Sequence, residues 1–231
     1  MQEYRRHLPH QIPVGVPIFV TWNLKGALPN SVIVRLESER ERLLKEPKRA
    51  HESIRERNVR HGKLLFSKAD HYLDRATSGP QHLKNPQFAK IVEDAILFGA
   101  LERYALYAWC VMANHVHVLL TPLWVLSAIT KGIKGYTSRE INRLQERVGR
   151  SFWQDESYDH WVRDEDELFR IIAYGENNPV KAGLCYSPER WPWSSARFRS
   201  VCPLGQAFHP DMLRGIVSTS ARQAGKPDLR C

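Results

Sequence analysis

Two histidines one residue apart, in Asn114-His115-Val116-His117-Val118-Leu119-Leu120, are the sharpest chemical feature of the chain. Alternate residues of a strand project to the same face, so both imidazoles can converge on one cation while Val116 and Val118 point the other way. The polar half of an ordinary amphipathic strand has the same pattern. Two ligands also leave a site incomplete, so a third group and open positions must come from elsewhere. A second constellation, Tyr174-Gly175-Glu176-Asn177-Asn178-Pro179, sets Tyr174 and Asn178 four residues apart. On a helix they lie one turn apart on one face and can address one centre. A core-edge tyrosine followed by an Asn cap before Pro179 would use the same residues.

A rival nucleophile, Tyr136, lies in the basic segment Lys131 to Arg139, where Lys134 and Arg139 are suited to holding phosphate. Trp153, Tyr158 and Trp161 could stack on unpaired bases or pack at a sheet edge. Asp159 and Glu176 are candidate proton acceptors for a phenol. Thirty-four Lys and Arg against 25 Asp and Glu give a net charge of +9, a balance that suits a polyanionic partner.

These residues need a scaffold. Val16 to Trp22, Tyr104 to Met112 and His115 to Thr121 have the β-branched and aromatic content of strands. Residues 87 to 102 carry a helical stripe behind Asn85-Pro86, and 124 to 147 read as a second helix weakened by Gly132 and Gly135. A third helix is expected over 165 to 176, capped by Asp164 and ended by Pro179. The order implies an α+β domain, an antiparallel sheet with helices on one face, over residues 1–202. Segment 31–75 reads as a charged helical excursion, solvated or a nucleic-acid arm, and 203–231 as a loosely ordered tail.

The four cysteines, Cys110, Cys185, Cys202 and Cys231, form no C-x-x-C pair, which argues against a zinc ribbon or a disulfide framework. The start of the chain has charge but no apolar signal core, and no run is long enough to span a bilayer, so a cytoplasmic protein without membrane contact is expected.

Taken together, Met112-Ala113-Asn114-His115-Val116-His117, Lys134-Gly135-Tyr136-Thr137-Ser138-Arg139, Phe152-Trp153-Gln154 with Tyr158-Asp159, Asn177-Asn178-Pro179-Val180-Lys181-Ala182-Gly183-Leu184 and Trp191-Pro192-Trp193-Ser194-Ser195 resemble the ordered blocks of the REP-associated tyrosine transposases. These are single-tyrosine HUH nucleases (His, hydrophobic, His), and the resemblance runs over roughly residues 15 to 198. It implies a ferredoxin-like sheet and a metal-dependent endonuclease that cuts and rejoins single-stranded DNA at hairpins through a 5′-phosphotyrosine. It also implies Tyr174 as nucleophile, His115, His117 and Asn178 as ligands of Mg2+ or Mn2+, and a monomer or homodimer. Ala113 stands where the family usually has Pro, and Gly175 beside the nucleophile is a poor helix residue. Two other functions stay open: a hairpin-DNA-binding protein of the same fold with little or no catalysis, and a metal-dependent phosphodiesterase that uses water.

Overall fold

The computed structural model describes residues 15–75 and 78–221. Strand β1 (Ile18–Asn23) is followed by helices α1 (Asn30–Lys45) and α2 (Ile54–Arg75), which the charged segment forms. Helix α3 (Pro86–Gly99), strands β2 (Tyr104–Val111) and β3 (His115–Pro122) and helix α4 (Leu126–Leu144) come next. Strand β4 (Tyr158–Trp161) and helices α5 (Glu165–Lys181) and α6 (Pro210–Ala221) complete the chain order.

The strands form one sheet in the order β2-β3-β1-β4, with each neighbouring pair antiparallel. Leaving out α1 and α2, the connectivity is the expected ferredoxin-like one, β1-α3-β2-β3-α4-β4. Strand alternation divides the side chains into two layers. Val20, Trp22, Val116, Val118 and Leu120 join α3 and α4 in the large apolar core on one face. Phe19, Leu119, Leu168 and Ile172 form a smaller cluster beneath α5 on the other, with Phe66 of α2 and Tyr174 packed against it. The two crossover helices thus share one face, while α5 and α2 cover the opposite one.

Local chemistry explains the helix ends. Asn85 caps α3, its side chain accepting from Gln87 N, with Pro86 in the first turn. Gly99 closes that helix where a Cβ would come within 2.7 Å of the Tyr104 hydroxyl, so only glycine leaves room for that hydroxyl to donate to the Ile96 carbonyl. Pro179 does not end α5, which continues to Lys181. The helix stops at Gly183 (φ 68°), where Gly183 N donates to Val180 O and Leu184 N to Pro179 O, the double bond of a glycine-terminated helix.

Edge strand β2 is covered by the Trp-Pro-Trp-Ser-Ser segment. Val111 N donates to Trp193 O, Trp191 Nε1 donates to Val111 O, and Ser195 Oγ accepts from Trp109 N. Beyond 203 the chain is more ordered than its weak periodicity implies. Phe208 and Leu213 are buried in the large core, and α6 packs on α3, because two apolar side chains suffice to anchor a short helix. Residues 222–231 of the expected tail lie outside the described residues.

Candidate metal centre and nucleophile

Strand register brings the chemistry together. His115 and His117 project from central strand β3 toward the α5 face, opposite Asn23 and Thr21 of β1. Thr21 Oγ1 lies 2.7 Å from His117 Nδ1, and Phe19 stacks on the same imidazole at 5.3 Å. Asn114 uses both ends of its amide: Nδ2 donates to the Leu73 carbonyl of α2, so Oδ1 is the atom that accepts from His115 Nδ1 at 2.7 Å. That bond places the His115 proton on Nδ1 and leaves Nε2 with a lone pair directed into the site. The two Nε2 atoms are 2.9 Å apart.

Helix α5 supplies the second half. Gly175 is buried against this strand, and a Cβ there would meet His117 and Phe19 at 3.9 Å. On one side of it, Asn178 Nδ2 reaches His117 Nε2 at 2.7 Å. On the other, the Tyr174 ring lies edge-on to His117 and Phe19, 6.2 Å from each, with Lys181 Nζ 4.2 Å from its centre. The i, i+4 pair therefore does address the histidine centre, within a single chain.

Helix α2 adds two residues that sequence reasoning passed over. Asp70 accepts the Tyr174 hydroxyl through Oδ2, while its Oδ1 lies 3.6 Å from His117 Nε2 and 3.9 Å from His115 Nε2. Asp74 Oδ1 lies 3.5 Å from His115 Nε2. Asp70, His115 and His117 present donor atoms that all fall within 4.8 Å of one another. The signal for these residues was the stripe Lys63, Phe66, Asp70, Leu73, Asp74 at helical spacing in a basic helix.

The electrostatics of the cluster favour a cation. Burial, then mutual repulsion, lowers His115 to about 3, and burial, then Lys181, lowers His117 to about 3, so both are neutral near pH 7. Burial, then the Asp70 charge, raises Asp74 to about 7, and burial also raises Asp70. Burial followed by the Asp70 carboxylate pushes the Tyr174 phenol well above its ordinary value, so it is protonated. Six buried side-chain polar atoms among the described residues have no hydrogen-bond partner, and three of them, Asp70 Oδ1, Asp74 Oδ1 and Asn178 Oδ1, are here. Neutral imidazoles beside orphaned oxygens are the donor set of a divalent cation, and mixed N and O ligands suit Mn2+ at least as well as Mg2+.

The remaining candidates lie elsewhere. Tyr136 and Lys134 are on α4, across the sheet; Tyr136 packs on the large core, and Lys134 Nζ donates to the carbonyls of Gln154 and Asp155. Arg139 is exposed on the same helix. Trp153 is buried, its Nε1 donating to Thr137 Oγ1, which corrects the expectation of a stacking platform: no ring face is open to a base. Tyr158 does border the site, but Phe66 stacks on its ring at 3.9 Å. Glu176 is bonded to Arg199 and Ser195 and is not placed to receive the Tyr174 proton.

Comparison with known proteins adds independent information. Residues 90–178, which contain both histidines, Tyr174 and Asn178, match the family described as "Transposase IS200 like". A Haemophilus influenzae protein described as a REP-associated tyrosine transposase is 24% identical over 135 residues, 53% of this chain and 68% of the relative. The solved structure of a REP-associated tyrosine transposase bound to a REP hairpin has the same fold, with a TM-score of 0.50 at 18% identity, over 91% of this chain and 90% of that one. Among the described residues, no helix is long and apolar enough to cross a membrane.

Proposed function

We propose that the chain is an IS200-like, REP-associated tyrosine transposase that cuts and rejoins single-stranded DNA at hairpin elements with Tyr174 as nucleophile. The observation that carries this is the meeting, within one chain, of Tyr174 and Asn178 of α5 with the two histidines of β3. That meeting also supports a self-contained site that a monomer could use. The relative bound to a REP hairpin supports hairpin DNA as the substrate class, and the net charge of +9 suits it. Free Cys110, Cys185 and Cys202 support a reducing, cytoplasmic setting.

His115 and His117 would hold the cation through Nε2, and Asn178 would join them by turning its unpartnered Oδ1 inward. A divalent cation there supplies charge neutralisation and polarisation of the scissile phosphate. The chain's own residues do the rest. Thr21 and Asn114 hold the imidazoles in position. Phe19 and Phe66 flank the Tyr174 ring and fix its approach. The Tyr174 oxygen bonds to phosphorus as the bond to the 3′-oxygen breaks; the phenol loses one proton and the departing 3′-oxygen gains one. The phosphotyrosine retains the energy of the broken bond, so a 3′-hydroxyl can reverse the step without a nucleotide cofactor.

The test is a labelled hairpin-bearing single strand incubated with the protein and Mn2+, then denatured. A protein-DNA adduct is expected with the parent and with Tyr136→Phe, and none with Tyr174→Phe. An adduct that persists in Tyr174→Phe overturns the nucleophile; turnover without any adduct points to attack by water.

A further inference from the structure

Helix α2 lies outside the stretch that matches the transposase family, yet it reaches the centre of the site. Its docking is specific. Lys63 Nζ contacts Glu167 at 2.6 Å, Phe66 stacks on Tyr158, the Leu73 carbonyl accepts from Asn114, and Asp70 accepts from Tyr174. These contacts tie α2 to α5, to β4 and to the residue that leads into the histidine strand. With α2 seated, His115 and Asp70 are 0% exposed and His117 1%, so no phosphodiester can reach the imidazoles.

His115 Nε2, His117 Nε2 and Asp70 Oδ1 face one another at separations of 2.9, 3.6 and 3.9 Å, and Asp74 Oδ1 lies 3.5 Å from His115 Nε2 at the edge of that group. Ligands about 2.1–2.2 Å from a transition ion stand roughly 3.0–3.5 Å apart, so small shifts would seat one cation among the first three, and Asp74 would join them by swinging its carboxylate inward from beside His115. Both carboxylate oxygens lack a hydrogen-bond partner, although one belongs to a fully enclosed residue. Asp70 also occupies the place an attacked phosphate would need: an anion facing both histidines and in contact with the nucleophilic hydroxyl.

We propose that in the DNA-free protein Asp70 and Asp74 are ligands of the same cation as His115 and His117, and that α2 is thereby an acidic cover which the substrate's phosphate displaces. The inference rests on the transposase reading for the displacement but not for the cation site. α2 contributes two anionic ligands in the resting state, and its departure opens both the cation and Tyr174 to DNA.

Mn2+ titration of the full-length, DNA-free protein by calorimetry, paired with hydrogen exchange over residues 63–74, tests this. Asp70→Asn and Asp74→Asn keep side-chain shape; each should weaken Mn2+ binding about tenfold or more, and the double variant about 100-fold or more. In the parent protein Mn2+ should slow exchange across α2, and added hairpin single strand should speed it again. Unchanged Mn2+ affinity in the double variant overturns the proposal. So does α2 exchange indifferent to Mn2+ in the parent, a measurement that needs no variant to fold. A parent that forms the Tyr174 adduct while the double variant keeps full Mn2+ affinity sinks this inference and spares the transposase reading; lost affinity with no adduct from the parent does the reverse.

Discussion

Two pairs of acids in the interior and at its edge are handled in opposite ways. Glu93 accepts from Trp109 Nε1 at 2.8 Å and from Arg197 at 2.9 Å; Glu176 accepts from Ser195 Oγ at 2.5 Å and from Arg199 at 2.6 Å. Both arginines come from the short segment beside edge strand β2, one serving α3 and the other α5, so each carboxylate is matched by a guanidinium and neutral donors. Asp70 is also enclosed and Asp74 partly buried, but their inward oxygens accept no hydrogen bond; they face imidazoles, and Lys181 acts on both only through its charge. An acid with a built-in cation holds the fold together. An acid without one costs stability until something positive arrives, a cost expected where a ligand binds.

The sharpest way to break the contrast is to remove one structural cation. Arg199→Met leaves Glu176 buried with one hydroxyl partner and should cost about 3–5 kcal/mol in urea unfolding. If the variant unfolds like the parent, the Glu176 pair is not what clasps α5 to the edge of the sheet.

Neutralising an acid of the other pair should have the opposite sign. Asp74 is raised to about 7 in the fold, against roughly 3.9 in an unfolded chain. Its contribution to stability is therefore present in full below about pH 4 and is lost as pH rises through about 7. In the presence of a chelator, Asp74→Asn should be the more stable protein at pH 8, by on the order of 1–4 kcal/mol, and lose that advantage by pH 4. The histidines, lowered to about 3, act the other way, their contribution lost as pH falls below about 6.5, but this affects parent and variant alike. With saturating Mn2+ the ranking should reverse, since the parent then gains a ligand that the variant lacks. Equal stability of parent and variant across pH 4–8 in chelator would show that Asp74 carries no burden.

The same division explains what could be read from the sequence. The shared face of His115 and His117 and that of Tyr174 and Asn178 were legible as local periods, two along a strand and four along a helix, whereas the ferredoxin-like connectivity and the roles of these residues came from the family resemblance. Trp153 stayed open between stacking and packing because both use the same side chain, and only its burial and the Thr137 hydroxyl beside Nε1 decide between them. Asp70 and Asp74 were hidden for another reason: the segment has enough charge to pass for a solvated helix, and its inward stripe is visible only once the fold brings residue 70 beside residue 174. Thr21 is a register partner, assigned by strand pairing over 96 residues of separation rather than by any motif.

Thr21 gives a smaller effect that sharpens the comparison. Thr21→Val keeps the strand shape but leaves His117 Nδ1 without its partner, which should cost about 1–2 kcal/mol and weaken Mn2+ binding about tenfold. A variant with unchanged Mn2+ affinity would mean that the ring is held by Phe19 stacking alone.

The smallest expected effect concerns Gly175. Its lack of a side chain makes it a weak helix residue beside the nucleophile, and it faces His117 and Phe19. A Cβ at this position would meet both at 3.9 Å, an ordinary contact, and the residue has a helical backbone that alanine adopts freely. Gly175→Ala should therefore stabilise the protein by about 0.5–1 kcal/mol through helix propensity, with adduct formation preserved. Anything larger than alanine would press on His117, so Gly175→Leu should weaken Mn2+ binding while Gly175→Ala does not. If alanine alone abolishes the adduct, the α5 helix must move relative to β3 during the reaction, and the glycine serves that motion rather than the close packing of helix on sheet.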